Sequence, residues 1–221
     1  MFVPSVLSPI QLYFRLVDEA AEFSRVALDA LRQPLESGSI EVSRTGFTAR
    51  FPARFQLVMA MNPCPCGNYG VRGSECTCPS IAIRRYAARL SGPLRDRLDI
   101  ELHVSRIATS DAVSDAASRT TSAEARQRVV SARERAAARW RGTPWSRNAD
   151  VPGARLRQAD VRVGADARAP LDRALEKGLI TLRGYDRVLR VAWTMADLDD
   201  CERPGRDQIG RALFMKRGYA A

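Results

Sequence analysis

The sequence predicts an α/β fold, with a parallel sheet and flanking helices in the first half of the chain and an all-helical second half. Apolar, strand-like runs at residues 12–17 and 55–60 each lead into polar residues, and a further strand is predicted at residues 98–104. In the second half, apolar residues recur at helical spacing in the segments 122–140 and 182–199. A capping-box sequence, Thr121-x-x-Glu124, begins the first of these helical segments.

The chain is strongly basic, with a net charge of +10 and a sequence pI near 10.1. Lysine occurs only at Lys177 and Lys216, so arginine carries almost all of the positive charge. Guanidinium groups match phosphate oxygens in geometry, which favours partners that carry phosphate. A GC-rich genome would also raise the arginine content, so the charge alone leaves both explanations open.

The N-terminal residues do not have the pattern of a targeting signal. The segment MFVPSVLSPIQLYF has no basic flank before its apolar residues and contains two prolines. No apolar run approaches the length of about 18 residues that a membrane span requires. We therefore expect a cytoplasmic protein without a membrane partner, in which the five cysteines favour a metal site over disulfides.

Acidic and amide side chains follow the two strand-like runs. Asp18 and Glu19 form a Walker B pattern, in which the aspartate faces a nucleotide-bound Mg²⁺ and the next carboxylate polarises the attacking water. Asn62 follows the second run, where an amide can orient that water or contact the γ-phosphate. Each has a structural alternative, because acidic pairs also precede helices and Asn-Pro steps are common turns.

Four cysteines form two close pairs with nine residues between them, Cys64 with Cys66 and Cys76 with Cys78. Four thiolates from one loop can complete a tetrahedral zinc site, and the intervening glycines let the loop fold back. The spacing predicts structural Zn²⁺ in an insert at residues 64–78, while an iron–sulfur or redox role stays open. Cys201 lies far from these pairs and is expected to be a buried or idle thiol.

A basic hairpin is predicted at residues 39–51, because apolar residues alternate on both sides of a turn at residues 43–46. Arg44, Arg50 and Arg54 belong to it or follow it. Such a hairpin is either a solvated edge, which we slightly favour, or a surface that tracks a nucleic-acid backbone.

Several blocks of the sequence together resemble the ComM/YifB family of bacterial magnesium-chelatase-like AAA+ ATPases. These blocks are Asp18-Glu19, AMNPCPCG at residues 60–67 with its paired cysteines, SGPLRDRLD at 91–99, and LRGYDRVLRVAWTMADLDD at 182–200. The resemblance runs without a break from about Val17 to His103 and resumes in the C-terminal part. It implies a P-loop-type core with a zinc knuckle, followed by a helical lid.

The resemblance also implies a role for each candidate residue in an ATP/Mg²⁺ site. Asp18 and Glu19 are similar to Walker B and Asn62 to sensor 1. Arg97 is similar to the arginine finger that reaches the γ-phosphate of a neighbouring subunit, which requires an oligomer, usually a hexameric ring. An ion pair with Asp96 or Asp99 is its structural alternative.

In the second half, Arg183 is similar to sensor 2, and Arg187 is the alternative for that role. Trp193 stands where relatives usually have arginine, so a phosphate contact from this position is not expected.

The sequence departs from the family pattern in one important respect. It contains no Gly-x-x-x-x-Gly-Lys-Ser/Thr motif, which cradles the β- and γ-phosphates. We therefore predict a partial AAA+ core at residues 1–104, a linker at 105–120 and a helical lid at 121–221, without ATP hydrolysis by this chain alone.

The function that the resemblance implies is ATP-dependent DNA remodelling, such as branch migration or helicase action, in natural transformation or recombination. The expected partners are DNA and either further copies in a ring or a chain that supplies the P-loop. One alternative is a non-catalytic, zinc-stabilised DNA-binding module or remnant. Another is a magnesium-chelatase ATPase subunit, against which the cysteine pairs argue.

Overall fold

The computed structural model describes residues 13–71, 73–104 and 120–217. The chain divides into two compact units between Arg97 and Leu98. No helix in these described ranges is both long enough and apolar enough to cross a bilayer.

A pair of parallel strands lies at the centre of the first unit. Strand β1 (Tyr13–Val17) pairs in parallel with the last strand of the unit, Phe55–Met59, and the register matches Val17 to Met59. The predicted parallel sheet is therefore present, with two strands within the described residues.

Two short helices follow β1, where the sequence pattern predicts one. Helix α1 (Arg25–Ala30) begins at Ser24, whose hydroxyl accepts from the Ala27 amide at 3.2 Å, and helix α2 (Arg32–Ser37) ends at Gly38. Pro34 has no amide hydrogen to donate to the Ala30 carbonyl, so a continuous helix loses a hydrogen bond at this step. Gly38 has the left-handed φ of 66° that suits a helix C-terminus.

The predicted hairpin is present as strands β2 (Ser39–Arg44) and β3 (Phe47–Pro52), which pair antiparallel around Gly46. Strand β4 is the segment Phe55–Met59 described above. Helices α3 (Ser80–Ala87) and α4 (Gly92–Arg95) complete the unit. Ser91 caps α4 and also donates to an Asp29 carboxylate oxygen at 2.5 Å.

The predicted strand at residues 98–104 is not formed. Instead, the Glu101 amide donates to the Met215 carbonyl at 2.7 Å, and the Lys216 ammonium donates to the Leu98 carbonyl at 2.6 Å. The backbone of this segment is therefore held by the end of a helix, and it lacks the partner strand that a ladder requires.

The second unit is helical, as predicted. Its helices are α5 (Ser122–Arg139), α6 (Gly153–Leu156), α7 (Ala165–Glu176), α8 (Leu182–Leu198) and α9 (Arg206–Arg217). The capping box at Thr121 and Glu124 is formed in both directions. Residues 141–165, predicted as a loop, contain α6 and a 3-10 turn at Asn148–Asp150.

A single apolar core fills the second unit, and α8 supplies the largest share of it. Its fully buried members include Trp140, Leu156, Leu171, Leu189 and Ile209. Because α8 buries residues on most of its circumference, it is the helix around which the others pack.

An ion pair is buried beside this core. The Asp197 side chain is 1% exposed and accepts two hydrogen bonds from the Arg139 guanidinium, one of them at 3.0 Å. Asn148 donates to the same carboxylate at 2.8 Å and accepts from the Trp140 indole at 2.9 Å. Arg139 also lies over the Trp193 ring, 4.2 Å from its centroid. These contacts satisfy the buried charge and join α5 to α8.

We expect Asp197→Asn to lower the free energy of unfolding of the second unit by about 3 kcal/mol, because it leaves the buried Arg139 charge without its counter-ion. All three tryptophans lie in this unit, so urea unfolding followed by tryptophan fluorescence measures it selectively. Asp200→Asn is the control, since its partner is Arg135 and its side chain is 75% exposed. Its cost should stay below about 1 kcal/mol. Equal costs for the two variants would contradict this account.

Candidate functional site

The pairing of β1 with β4 brings the two predicted groups of polar residues to one edge of the sheet. Beyond the strand ends, the Ala60 amide donates to the Val17 carbonyl at 2.9 Å, and the Ala20 amide donates to the Ala60 carbonyl at 2.8 Å. The segment with Asp18 and Glu19 therefore runs beside the segment that leads to Asn62. Ligands of open parallel sheets bind at this carboxyl edge.

The acidic pair has an unusual backbone. Glu19 has a φ of 49° and a ψ of 43°, a left-handed conformation that a non-glycine residue rarely adopts. Its amide donates to an Asp18 carboxylate oxygen at 2.8 Å. Both residues are exposed, so their remaining carboxylate oxygens are open to solvent and suited to a hard cation such as Mg²⁺.

Arg97, the predicted arginine finger, is engaged within its own unit. Its guanidinium makes an ion pair with Glu36 through Nε, at 3.1 Å, and through Nη2. Nη1 donates to the Pro93 carbonyl at 2.8 Å, and the side chain is 10% exposed. The structural alternative suggested by the sequence, a pair with Asp96 or Asp99, is not the arrangement observed. The finger role stays a prediction, and it requires release from Glu36.

The two sensor 2 candidates have different surroundings in the second unit. Arg187 is 11% exposed and donates to an Asp99 carboxylate oxygen at 2.6 Å. Arg183 lies in the first turn of α8, where Thr181 caps the helix, and the residue is exposed. Arg183 is therefore the more accessible of the two, and both assignments remain predictions.

The four paired cysteines lie together, with their Sγ atoms all within 4.8 Å of one another. Cys64 Sγ is 3.4 Å from Cys66 Sγ and 3.8 Å from Cys76 Sγ, and Cys66 Sγ is 3.7 Å from Cys76 Sγ. A tetrahedron with Zn–S bonds of about 2.3 Å has edges of about 3.8 Å. The cluster therefore fits a tetrahedral zinc ion held by four thiolates.

The loop folds around these cysteines because of its glycines and backbone amides. Gly67, Gly70 and Gly73 all have left-handed φ values near 75°. The Gly67 amide donates to the Cys64 carbonyl at 3.0 Å, and the Tyr69 amide points at Cys64 Sγ at 3.4 Å. Such amides stabilise thiolate charge, which a metal-binding cysteine must carry.

The crowding of four thiols separates their proton affinities in the metal-free chain. A hydrogen bond from the Asn68 amide, with others from neighbouring cysteines, lowers the pKa of Cys66 to about 6. The hydrogen bond with Cys66 raises the pKa of Cys78 to about 12. One thiolate is thus present at neutral pH before any metal arrives, and a bound cation would deprotonate the others.

The cysteine loop adjoins the candidate nucleotide edge. Asn62 precedes Cys64 by two residues, and its side-chain amide faces Gly67. A Cβ atom at position 67 would lie 3.8 Å from both Cγ and Oδ1 of Asn62. Neither this proximity nor the Glu36 partner of Arg97 could be predicted from the sequence, because both depend on how the chain folds back. Cys201 belongs to the second unit and is partly buried.

Comparison with known proteins gives two matching family models that lie end to end. The model of magnesium chelatase, subunit ChlI, matches residues 12–112, and the model of its ChlI C-terminal region matches residues 119–216.

Individual relatives match along most of the chain. It is 44% identical over 214 residues to an uncharacterized protein of Mycobacterium tuberculosis, covering 97% of this chain and 42% of that protein. It is 37% identical over 205 residues to the competence protein ComM of Haemophilus influenzae, covering 93% of this chain and 38% of ComM. The uncharacterized protein YifB of Escherichia coli is 38% identical over 197 residues, covering 89% of this chain and 38% of YifB. The chain therefore spans about two fifths of the length of these relatives.

We expect the purified chain to contain about one zinc ion, held by the four-cysteine cluster. Cys64→Ser should lose the metal, because this thiolate is the buried one of the four and a hydroxyl is a poor zinc ligand. Cys201→Ser, which removes a thiol outside the cluster, should retain it. Metal analysis of the three proteins tests this, and zinc retained by Cys64→Ser would argue against the four-thiolate site.

In the chelator-treated chain, we expect Cys66 to be the cysteine of the cluster that iodoacetamide alkylates first. The thiolate is the nucleophile, so the rate should rise as pH increases through about 6, the pKa of Cys66, and then level off. Cys78, with its pKa of about 12, should remain unmodified at pH 8. Peptide mapping by mass spectrometry measures both rates, and faster alkylation of Cys78 would refute the assignment.

Proposed function

Because the chain belongs to the magnesium chelatase ChlI family and is homologous to ComM and YifB, we propose that it acts as part of a magnesium-chelatase-like AAA+ ATPase that remodels DNA. The observation that carries this proposal is the β1–β4 edge, where the segments with Asp18, Glu19 and Asn62 follow two adjacent parallel strands. The implied reactions are branch migration or helicase action during natural transformation or recombination.

In this proposal the edge holds ATP with Mg²⁺. Asp18 takes part in binding the metal, Glu19 polarises the attacking water, and Asn62 orients that water against the γ-phosphate. Glu19 has a left-handed backbone conformation, a kind of strain that is more frequent at functional sites than elsewhere. Mg²⁺, when bound, neutralises charge on the phosphate oxygens.

A complete site needs groups that the sequence does not contain. It has no Gly-x-x-x-x-Gly-Lys-Ser/Thr loop, so the phosphate cradle has to come from another segment or chain. Arg97 would act on the nucleotide of a neighbouring subunit, after exchanging Glu36 for a phosphate oxygen. Arg183 would contact the nucleotide as sensor 2. Self-association in a ring is therefore part of the proposal.

The zinc ion has a structural role in this scheme. Cys64, Cys66, Cys76 and Cys78 would hold it, and the loop they close places Gly67 beside Asn62. Zinc supplies no redox chemistry and here has no open position, so its contribution is to fix the loop. Reduced thiols are consistent with a cytoplasmic protein.

DNA is the proposed partner because the chain combines a net charge of +10 with arginine-rich surfaces. Arginine forks pair with phosphate oxygens, and binding of this kind weakens steeply with salt. The Haemophilus relative is named competence protein ComM, which supports a role connected with DNA uptake.

A second candidate is a non-catalytic, zinc-stabilised DNA-binding module. The absence of the phosphate-binding motif favours it, because the cysteine cluster and the basic surface need no ATP. The other alternative, an ATPase subunit of magnesium chelatase, is consistent with the family models. The four-cysteine loop argues against it, because the resemblance associates this loop with the ComM-like branch of the family.

The test is complementation of ATP turnover. The chain alone should show no turnover, and adding the part of the mycobacterial relative that lies outside the matched 42% should produce it. Asp18→Ala and Glu19→Gln should each lower that turnover at least a hundredfold, because they remove the metal contact and the water-polarising group. Asp166→Ala, an acidic residue in the first turn of α7, should leave it unchanged.

The same samples should be tested for DNA binding and zinc content. Salt-dependent DNA binding with zinc present, but no turnover with any P-loop-bearing segment, would replace the ATPase proposal with the binding module. Turnover that is unaffected by Asp18→Ala would remove the proposed Walker B role.

A further inference from the structure

The β2–β3 hairpin has two chemically different faces. The antiparallel register pairs Ile40 with Phe51, Val42 with Ala49, and Arg44 with Phe47. Because partners in a ladder point to the same side and successive residues alternate, these six side chains share one face. The opposite face carries the remaining residues: Ser39, Glu41, Ser43, Thr48, Arg50 and Pro52. We call the first of these the aromatic face.

The aromatic face is not covered by the rest of the described chain. Its large side chains are exposed over wide fractions, 40% for Ile40, 44% for Val42, 66% for Phe47 and 54% for Phe51. Among the described strands, neither β2 nor β3 pairs with any strand besides the other. A solvated edge would carry polar side chains on such a face, whereas a contiguous apolar patch marks a binding surface.

The charges around the aromatic face are suited to an anionic partner. Arg44 lies on this face next to the turn. Its guanidinium makes no hydrogen bond or ion pair with any described residue. Arg54 follows the hairpin, and the hairpin's one carboxylate, Glu41, lies on the opposite face beside Arg50. A ligand on the aromatic face therefore meets two rings, two aliphatic side chains and a guanidinium, without a facing carboxylate from the hairpin.

We propose that the aromatic face binds single-stranded DNA, with bases stacked on Phe47 and Phe51 and a phosphate paired with Arg44. This inference rests on the proposed DNA function and names the surface and the form of DNA. Bases present their flat faces only when they are unpaired, so duplex DNA cannot stack on this surface. Phe47 and Phe51 are four residues apart on one strand, about 13 Å, which spans about four nucleotides at stacking distance.

The experiment measures binding of a fluorescein-labelled oligothymidine of about twelve nucleotides, and of a duplex of the same length, by fluorescence anisotropy with the full chain. Phe47→Ala/Phe51→Ala should weaken single-strand binding at least tenfold, because two stacking contacts are lost, and leave duplex binding unchanged. Arg44→Ala should reduce the slope of log affinity against log salt by about 0.7, the value for one phosphate contact on a single strand.

Phe23→Ala is the matched control, since it removes a ring that is 48% exposed outside the hairpin. Zinc content, which reports on the cysteine loop of the same unit, confirms that each variant is folded. Sedimentation of the chain without DNA shows whether the aromatic face instead joins two copies.

The outcomes separate the two proposals. Absence of any DNA binding overturns the DNA function itself. DNA binding that Phe47→Ala/Phe51→Ala leaves unaffected overturns only the assignment of this face. Self-association that disappears in Phe47→Ala/Phe51→Ala, with DNA binding intact, would show that the occupant is a second copy.

Discussion

The parallel pairing of β1 with β4 is the constraint on which the candidate site depends. Its hydrogen bonds continue past the strand ends, where Ala60 bonds to both Val17 and Ala20, so the two chain segments leave the sheet side by side. Three consequences follow from this single alignment. Asp18 and Asn62 reach the same edge, the helix pair begins close to the acidic residues, and the cysteine loop starts where the sheet ends.

Internal ion pairing explains why so basic a chain folds compactly. Arg139 with Asp197, Arg97 with Glu36 and Arg187 with Asp99 each place most of a guanidinium out of solvent against a carboxylate. These pairs leave the net charge of +10 unchanged, but they make the three arginines unavailable to a partner while the pairs persist. Those on the hairpin and on the outer surface of α5 are available, and they determine which phosphates the chain can approach.

Local signals allowed much of this architecture to be predicted. The capping box at Thr121, the hairpin around Gly46 and the cysteine spacing depend on residues within a few positions of one another, so the sequence displays them. The partner of Arg97 could not be predicted in this way, because Glu36 is 61 residues away. The run at residues 98–104 was wrongly read as a strand, since its backbone partners lie in a helix end more than 100 residues later.

Because Gly67 lies next to Asn62, the metal loop and the nucleotide edge share one stretch of backbone. Four residues separate Asn62 from Gly67, and they are two stiff prolines and the two ligands Cys64 and Cys66. A change in metal occupancy is consequently expected to change the geometry of the strand end as well. Preparations that differ in exposure to chelators or oxidants would differ at Asn62 as well, so nucleotide measurements are comparable only between samples of matched metal content.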